Sequence, residues 1–276
     1  PAPSIVYAPT NWRRQAMTEL VLGKIEDGVA ILTLNRPETS NAMSMALTDA
    51  LYALVEPYSR DRSVRAWLIT STGKNFCAGG DIGAFGNTDD PQGLIGSLAR
   101  RLHDSLRILH EHRAPVVMAI QGAAAGAGFS MVSGADIAIA ARSSTYLWAY
   151  AAIGLTCDGG STWNLPRVIG LRRAQELAFT GRRLTGEEAA AIGLVTRVVD
   201  DELLQEEALK VARQIAQGPT ESFGTVKSLF ARTFANDYGT QLEAEATAIA
   251  AALGRPDGAN AVQSFLTKSK PLFIGE

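Results

Sequence analysis

The sequence predicts an α/β domain followed by a helical C-terminal region, and three observations carry that prediction. Strand-type apolar runs alternate with helix-period segments between Leu20 and Val199, two glycine-rich loops each follow such a run, and from Asp201 onward the pattern is almost entirely helical. A chain of 276 residues that is 46% hydrophobic buries a core without help from disulfides or a structural metal. The division expected is residues 1–16 as an irregular N-terminal extension, 17–205 as the core and 206–276 as the helical region.

The extension has Pro1, Pro3 and Pro9 and no helix or strand period. Two β-rich runs from Leu20 to Leu34 flank Asp27-Gly28, a dipeptide that supplies positive φ in a hairpin. Ser44 caps a helix whose apolar face holds Leu47, Leu51, Leu54 and Val55, with Pro57 near its end. Val64 to Thr70 is a buried-type strand, and Ser71 to Asp81 is too polar and glycine-rich for an element interior. The Gly-, Asn- and Asp-rich stretch between Ile82 and Ser97 reads as a loop. Leu94 to His112 has helical period, Pro115 breaks it, and Val116 to Ile120 is a second buried strand. The run Gly122 to Gly128 then feeds an apolar helix from Phe129 to Val132 and a strand from Asp136 to Ala140. Cys157-Asp158-Gly159-Gly160-Ser161 is a turn before a helix, and Val195 to Val199 is the last strand.

Composition excludes several function classes. With 26 Lys and Arg against 28 Asp and Glu, the chain lacks the clustered excess charge that nucleic acid or an anionic membrane surface would select. No apolar run reaches the length of a membrane span and no signal-peptide core is visible, so a cytoplasmic location is expected. Cys77 and Cys157 are too few for a disulfide framework or a cysteine-rich zinc site. His103, His110 and His112 share one helical stretch without a companion acid at metal-site spacing, so no metal is expected. Gly126-Ala127-Gly128 invites a dinucleotide reading, but Met131 stands where that motif needs its third glycine.

The two glycine-rich loops have two readings. They permit tight turns, or they bring backbone N–H groups to one point as an oxyanion hole for a thioester or ester oxygen. Asp158 likewise reads as a helix N-cap or as a carboxylate acid/base, with Asp81 and Asp136 as weaker catalytic candidates.

Four ordered motifs bring in a resemblance. Asn35-Arg36-Pro37-Glu38, Asn41-Ala42-Met43, Phe76-Cys77-Ala78-Gly79-Gly80-Asp81-Ile82 and Gly122 to Gly128 together resemble the crotonase, or enoyl-CoA hydratase/isomerase, superfamily from about Glu19 to the C-terminus. The resemblance implies a spiral of ββα units with C-terminal trimerisation helices, assembled as a homotrimer or as a hexamer built from two trimers. It implies an acyl-CoA thioester as the partner, with no cofactor beyond the coenzyme A carried by the substrate. The oxyanion donors fall at Gly80 and Ala127. Ala42, Ala78, Asp81 and Ile82 fall where the family wraps the adenine and pantetheine, and Phe265 and Lys268 where it closes over the nucleotide.

The hydratase glutamate positions hold Ser130 and Tyr150, neither a carboxylate base. The stretch Gly154 to Trp163 resembles the 1,2-epoxyphenylacetyl-CoA isomerases of phenylacetate degradation and the Δ3,Δ2-enoyl-CoA isomerases of fatty acid metabolism, in which the aspartate at position 158 is the acid/base. Tyr150 and Trp148 are expected to wall the acyl pocket. The function implied is an isomerase that shifts a double bond or rearranges a ring epoxide. The alternatives are a hydratase holding water with Ser130, Tyr150 and Asp158, or an acyl-CoA-binding protein with little catalysis.

Overall fold

The computed structural model describes residues 20–276, so the extension expected at 1–16, and residues 17–19, lie outside the described residues. Asp27 and Gly28 have φ of 52° and 77°, the left-handed pair that a tight hairpin turn demands, and they join β1 (Val21–Glu26) to β2 (Val29–Leu34) in antiparallel register. From β2 onward the main sheet is parallel: β3 (Ala66–Ser71), β4 (Val116–Ile120), β6 (Ile137–Ala141) and β9 (Arg197–Val199) follow in the order β1-β2-β3-β4-β6-β9. A smaller sheet is formed by β5 (Ala123–Ala125), β7 (Thr145–Leu147) and β8 (Leu184–Thr185).

Parallel strands covered on both faces carry continuous apolar runs, and alternate residues then serve different layers. On β3, Trp67 and Ile69 face the main core with Leu32, Leu51, Leu102 and Met118. Ala66 and Leu68 face the other side, where the helix Leu204–Ala216 lays Leu204, Ala208, Ala212 and Ala216 against the sheet. Those four residues are spaced by four, and the alanines let the helix approach closely.

The helices between strands follow their caps. In α1 (Met45–Arg60) the Ser44 hydroxyl accepts from the Leu47 N–H at 3.2 Å. This helix continues through Pro57, where the sequence places its end; buried Leu51 and Val55 anchor the turn before the proline, and only one backbone donor is lost. The expected loop between Ile82 and Ser97 is mostly helical, as α2 (Ile82–Gly86) and α3 (Pro91–Glu111). Asp81 accepts from the Ala84 N–H, Asp90 from the Gly93 N–H, and Pro91 occupies the first turn, so the polar residues are caps. The chain then runs through α4 (Ala127–Ser133), α5 (Ser161–Ile169), α6 (Leu171–Thr180), α7 (Gly186–Ala191) and α8 (Leu204–Ala216).

Three further helices complete the described chain: α9 (Thr220–Arg232), α10 (Tyr238–Leu253) and α11 (Pro256–Leu266). Lys227 anchors α9 to the core, its Nζ donating to Leu109 O at 2.8 Å and pairing with Asp136 at 2.7 Å. The last residues are held by buried Asp257, whose carboxylate accepts from the N–H groups of Ile274, Gly275 and Glu276. In contrast, Phe230, Tyr238, Ile249 and Phe265 are largely exposed.

Candidate active site

Both glycine-rich loops leave the ends of neighbouring strands, β3 and β4, and run side by side. Phe76 N–H donates to Gln121 O, Cys77 N–H to Ala123 O and Ala125 N–H to Cys77 O, a short parallel ladder outside the main sheet. Asn75 closes its start by accepting from the Ala123 N–H at 3.0 Å. Glycine is required for this approach: a Cβ on Gly122 would lie 2.0 Å from Lys74 O, and one on Gly128 would lie 2.4 Å from Cys77 O. The same close contact that needs glycine carries Gly80 and Ala127 to the wall of one cavity of about 470 Å³. Neither backbone N–H has a hydrogen-bond acceptor among the described residues, Ala127 because it opens α4.

Asp158 faces the same cavity. Its side chain does not cap α5; the N-cap is Gly160, with no side-chain bond, while Asp158 contributes only its carbonyl, which accepts from the Ser161 N–H and hydroxyl. The carboxylate Oδ1 accepts from the Tyr150 hydroxyl at 2.5 Å, and Tyr150 Oη lies 2.9 Å from the Ser130 hydroxyl. Ser130 Oγ also lies 3.2 Å from Gly126 O, the carbonyl just before Ala127. One chain of polar contacts thus runs from Asp158 through Tyr150 and Ser130 to the second glycine loop. Burial, reinforced by the charge of Asp158, pushes the Tyr150 phenol well above its ordinary range, so Tyr150 remains a donor. Burial likewise pushes the Cys77 thiol up to about 12, which leaves it an inert part of the loop contact.

The other sequence candidates separate. Ala78 and Ile82 line the cavity. Ala42 and Asp81 do not; both are tied to Arg36, whose Nη1 donates to Ala42 O at 3.1 Å and pairs with Asp81 at 2.8 Å, and that contact holds the Asp81 carboxyl below the usual range. Ser130 sits behind Tyr150, fully buried. Trp148 is packed edge-on against Phe129 and Tyr150 and is not among the residues that line the cavity. Phe265 and Lys268 are not among the residues that line the cavity, and Lys268 follows the end of α11. Asp136 is structural, accepting from the Val116 N–H and pairing with Lys227.

The sequence reading missed the apolar wall formed by Phe85 of α2 and Ile95, Leu98 and Ala99 of α3. The signal for it was Asp90-Pro91, an N-cap followed by a first-turn proline, with 95, 98 and 99 at helical spacing beyond it.

The sequence profile of the enoyl-CoA hydratase/isomerase family matches residues 24–276. The 1,2-epoxyphenylacetyl-CoA isomerase of Escherichia coli (strain K12) is 38% identical over 264 residues, covering 94% of this chain and 100% of that protein. The 4-chlorobenzoyl coenzyme A dehalogenase-2 of Arthrobacter sp is 33% identical over 248 residues, 88% of each. The crystal structure of an enoyl-CoA hydratase from Bacillus anthracis matches with a TM-score of 0.88 at 28% identity, over 93% of this chain and 100% of that one.

Proposed function

The chain belongs to the enoyl-CoA hydratase/isomerase family and has its crotonase fold, and from that premise we propose that it is an acyl-CoA isomerase with Asp158 as its acid/base. The observation that carries this reading is the placement of Asp158 on the cavity wall that also holds Gly80 and Ala127, with its carboxylate accepting from Tyr150.

In this mechanism the thioester oxygen accepts from the Gly80 and Ala127 N–H groups. Asp158 removes a proton from the carbon next to the carbonyl, and the electron pair moves onto that oxygen as an enolate, which the two donors stabilise. The protonated carboxyl then returns the proton two carbons along, and the double bond comes into conjugation with the carbonyl. The shift is redox neutral and balanced with no further reactant, and coenzyme A enters as part of the substrate. Tyr150 keeps Oδ1 occupied, so Oδ2, which has no hydrogen-bond partner among the described residues, is the proton carrier.

The 1,2-epoxyphenylacetyl-CoA isomerase among its relatives supports extending the substrate class to ring-derived acyl groups, as in phenylacetate degradation, beside the enoyl thioesters of fatty acid metabolism. The reading includes a trimer or a pair of trimers, for which the exposed apolar residues of α9 to α11 provide contact surface. It also places the enzyme in the cytoplasm, for which the two free cysteines are the support; among the described residues no helix is long and apolar enough to cross a membrane.

The test supplies a 3-enoyl-CoA and follows the absorbance of the conjugated 2-enoyl thioester. Conjugation should appear with the unaltered protein and fall by about 10²- to 10⁴-fold in Asp158→Asn. Full turnover in that variant would overturn the assignment of Asp158. Label from isotopic water appearing as product hydroxyl would move the reading to a hydratase, and thioester binding without turnover to a binding protein.

A further inference from the structure

The turn that presents Asp158 is closed by the Asp158 carbonyl, which accepts from the Ser161 N–H and hydroxyl, but nothing within the turn takes up the Gly159 N–H. Gly159 and Gly160 both have positive φ, 64° and 76°, and α5 begins without a side-chain cap. Its support comes from α3. The Gly159 N–H donates to His103 Nε2 at 2.9 Å, and a Cβ added to Gly159 would lie 2.7 Å from Ser130 Cβ and 3.8 Å from Leu106 Cδ1, so Gly159 is wedged between α3 and α4. Gly159 is buried, whereas His103 is exposed. The accepting nitrogen requires the ring tautomer with its proton on Nδ1. On α3, Ile95 and Ala99 line the cavity and His103 follows at the same four-residue spacing, so one helical stripe bears both the acyl wall and the anchor of the turn.

We propose that His103 is a positioning residue for catalysis: by accepting from the Gly159 N–H it holds the Asp158 turn in register with the substrate cavity. This inference rests on the isomerase reading for its kinetic consequence and on the Gly159 contact alone for its structural one. Without the acceptor, the buried Gly159 donor is left unpaired or takes up water, and the adjacent carboxylate is displaced from the carbon it must deprotonate.

The experiment compares His103→Phe, which keeps a planar ring without an acceptor, with His103→Gln, whose Oε1 restores one. Hydrogen exchange of the Gly159 amide, read by mass spectrometry on peptides spanning residues 154–163, should be at least about tenfold faster in His103→Phe and close to the unaltered protein in His103→Gln. The kcat for 3-enoyl-CoA isomerisation should fall about tenfold or more in His103→Phe, with KM little changed, and recover in His103→Gln. Unchanged exchange in His103→Phe, unchanged kcat despite faster exchange, or failure of His103→Gln to restore both would overturn the proposal. If the unaltered protein isomerises no 3-enoyl-CoA, the functional reading falls, and the exchange comparison still decides whether His103 holds the turn.

Discussion

At the scale of single residues, the site sets one acid against one phenol. Tyr150 donates to Asp158 Oδ1 at 2.5 Å, and a hydrogen bond to a charged group contributes about 1.5 to 3 kcal/mol. Tyr150→Phe removes that restraint without changing the ring. The expected result is a loss in kcat of about ten- to a hundredfold with KM changed less, measured by initial rates across substrate concentration. An unchanged kcat would show that the carboxylate needs no such hold. Asp158 also marks a limit of sequence reading. The residue was legible as a cap or as an acid, and spacing alone does not separate the two, because both uses put aspartate just before a helix. The separation came from the direction of the side chain, set by Tyr150 eight residues earlier and by the double glycine that follows.

At the scale of elements, His112 links three of them. It lies at the end of α3, its Nδ1 accepts from Trp67 Nε1 of β3 at 3.0 Å, and its Nε2 lies 3.1 Å from Ser59 O at the end of α1. Burial, with the positive charges of Arg113 and Lys227, lowers its pKa to about 4. The unfolded chain takes up that proton near pH 6.5, so the contribution of neutral His112 is complete above that value and is lost as pH falls toward 4. A few kcal/mol are at stake by this linkage. Urea unfolding at several pH values between 7 and 4 should show stability falling with acidification, and His112→Gln should flatten that slope; an equal slope in both proteins would refute the assignment.

The same scale shows which elements were legible. The hairpin at Asp27-Gly28, the strand Val116–Ile120 and the helix after Ser44 announced themselves through turn chemistry, apolar runs and caps. β5, β7 and β8 did not, since strands of three, three and two residues are too short to display a period. They form by pairing between distant segments, β5 of the second glycine loop with β7 and β7 with β8, which is a tertiary cause.

At the scale of the whole molecule, the large exposed apolar residues are concentrated beyond the sheet. Phe230, Phe234, Tyr238, Ile249 and Phe265 all lie in or between α9, α10 and α11 and range from 69% to 83% exposed. In the proposed trimer or pair of trimers this surface is buried between copies of the chain. Sedimentation velocity should therefore give three or six times the 29.3 kDa of the chain, and Ile249→Glu should shift the boundary toward the single-chain mass. A single-chain mass for the unaltered protein would remove the trimer from the reading. The α/β core and the helical region were both visible in the sequence. The role of α8 as the outer cover of the sheet through Ala208, Ala212 and Ala216 was not, because an alanine stripe suits many close packings equally.

The short ladder between the two glycine loops has a consequence for how this scaffold changes its chemistry. Gly80 and Ala127 are spaced by main-chain pairing between the two loops, which the glycines at 122 and 128 permit. Asp158 hangs on a separate turn held from α3 and α4. The proposed carbonyl donors and the proposed proton carrier thus come from separate segments that meet at α4, where Ser130 contacts both Gly126 O and the Tyr150 hydroxyl, and a replacement turn that keeps this contact leaves the donors in place. An engineer wishing to redirect the reaction would begin by regrafting the segment from Thr156 to Gly160.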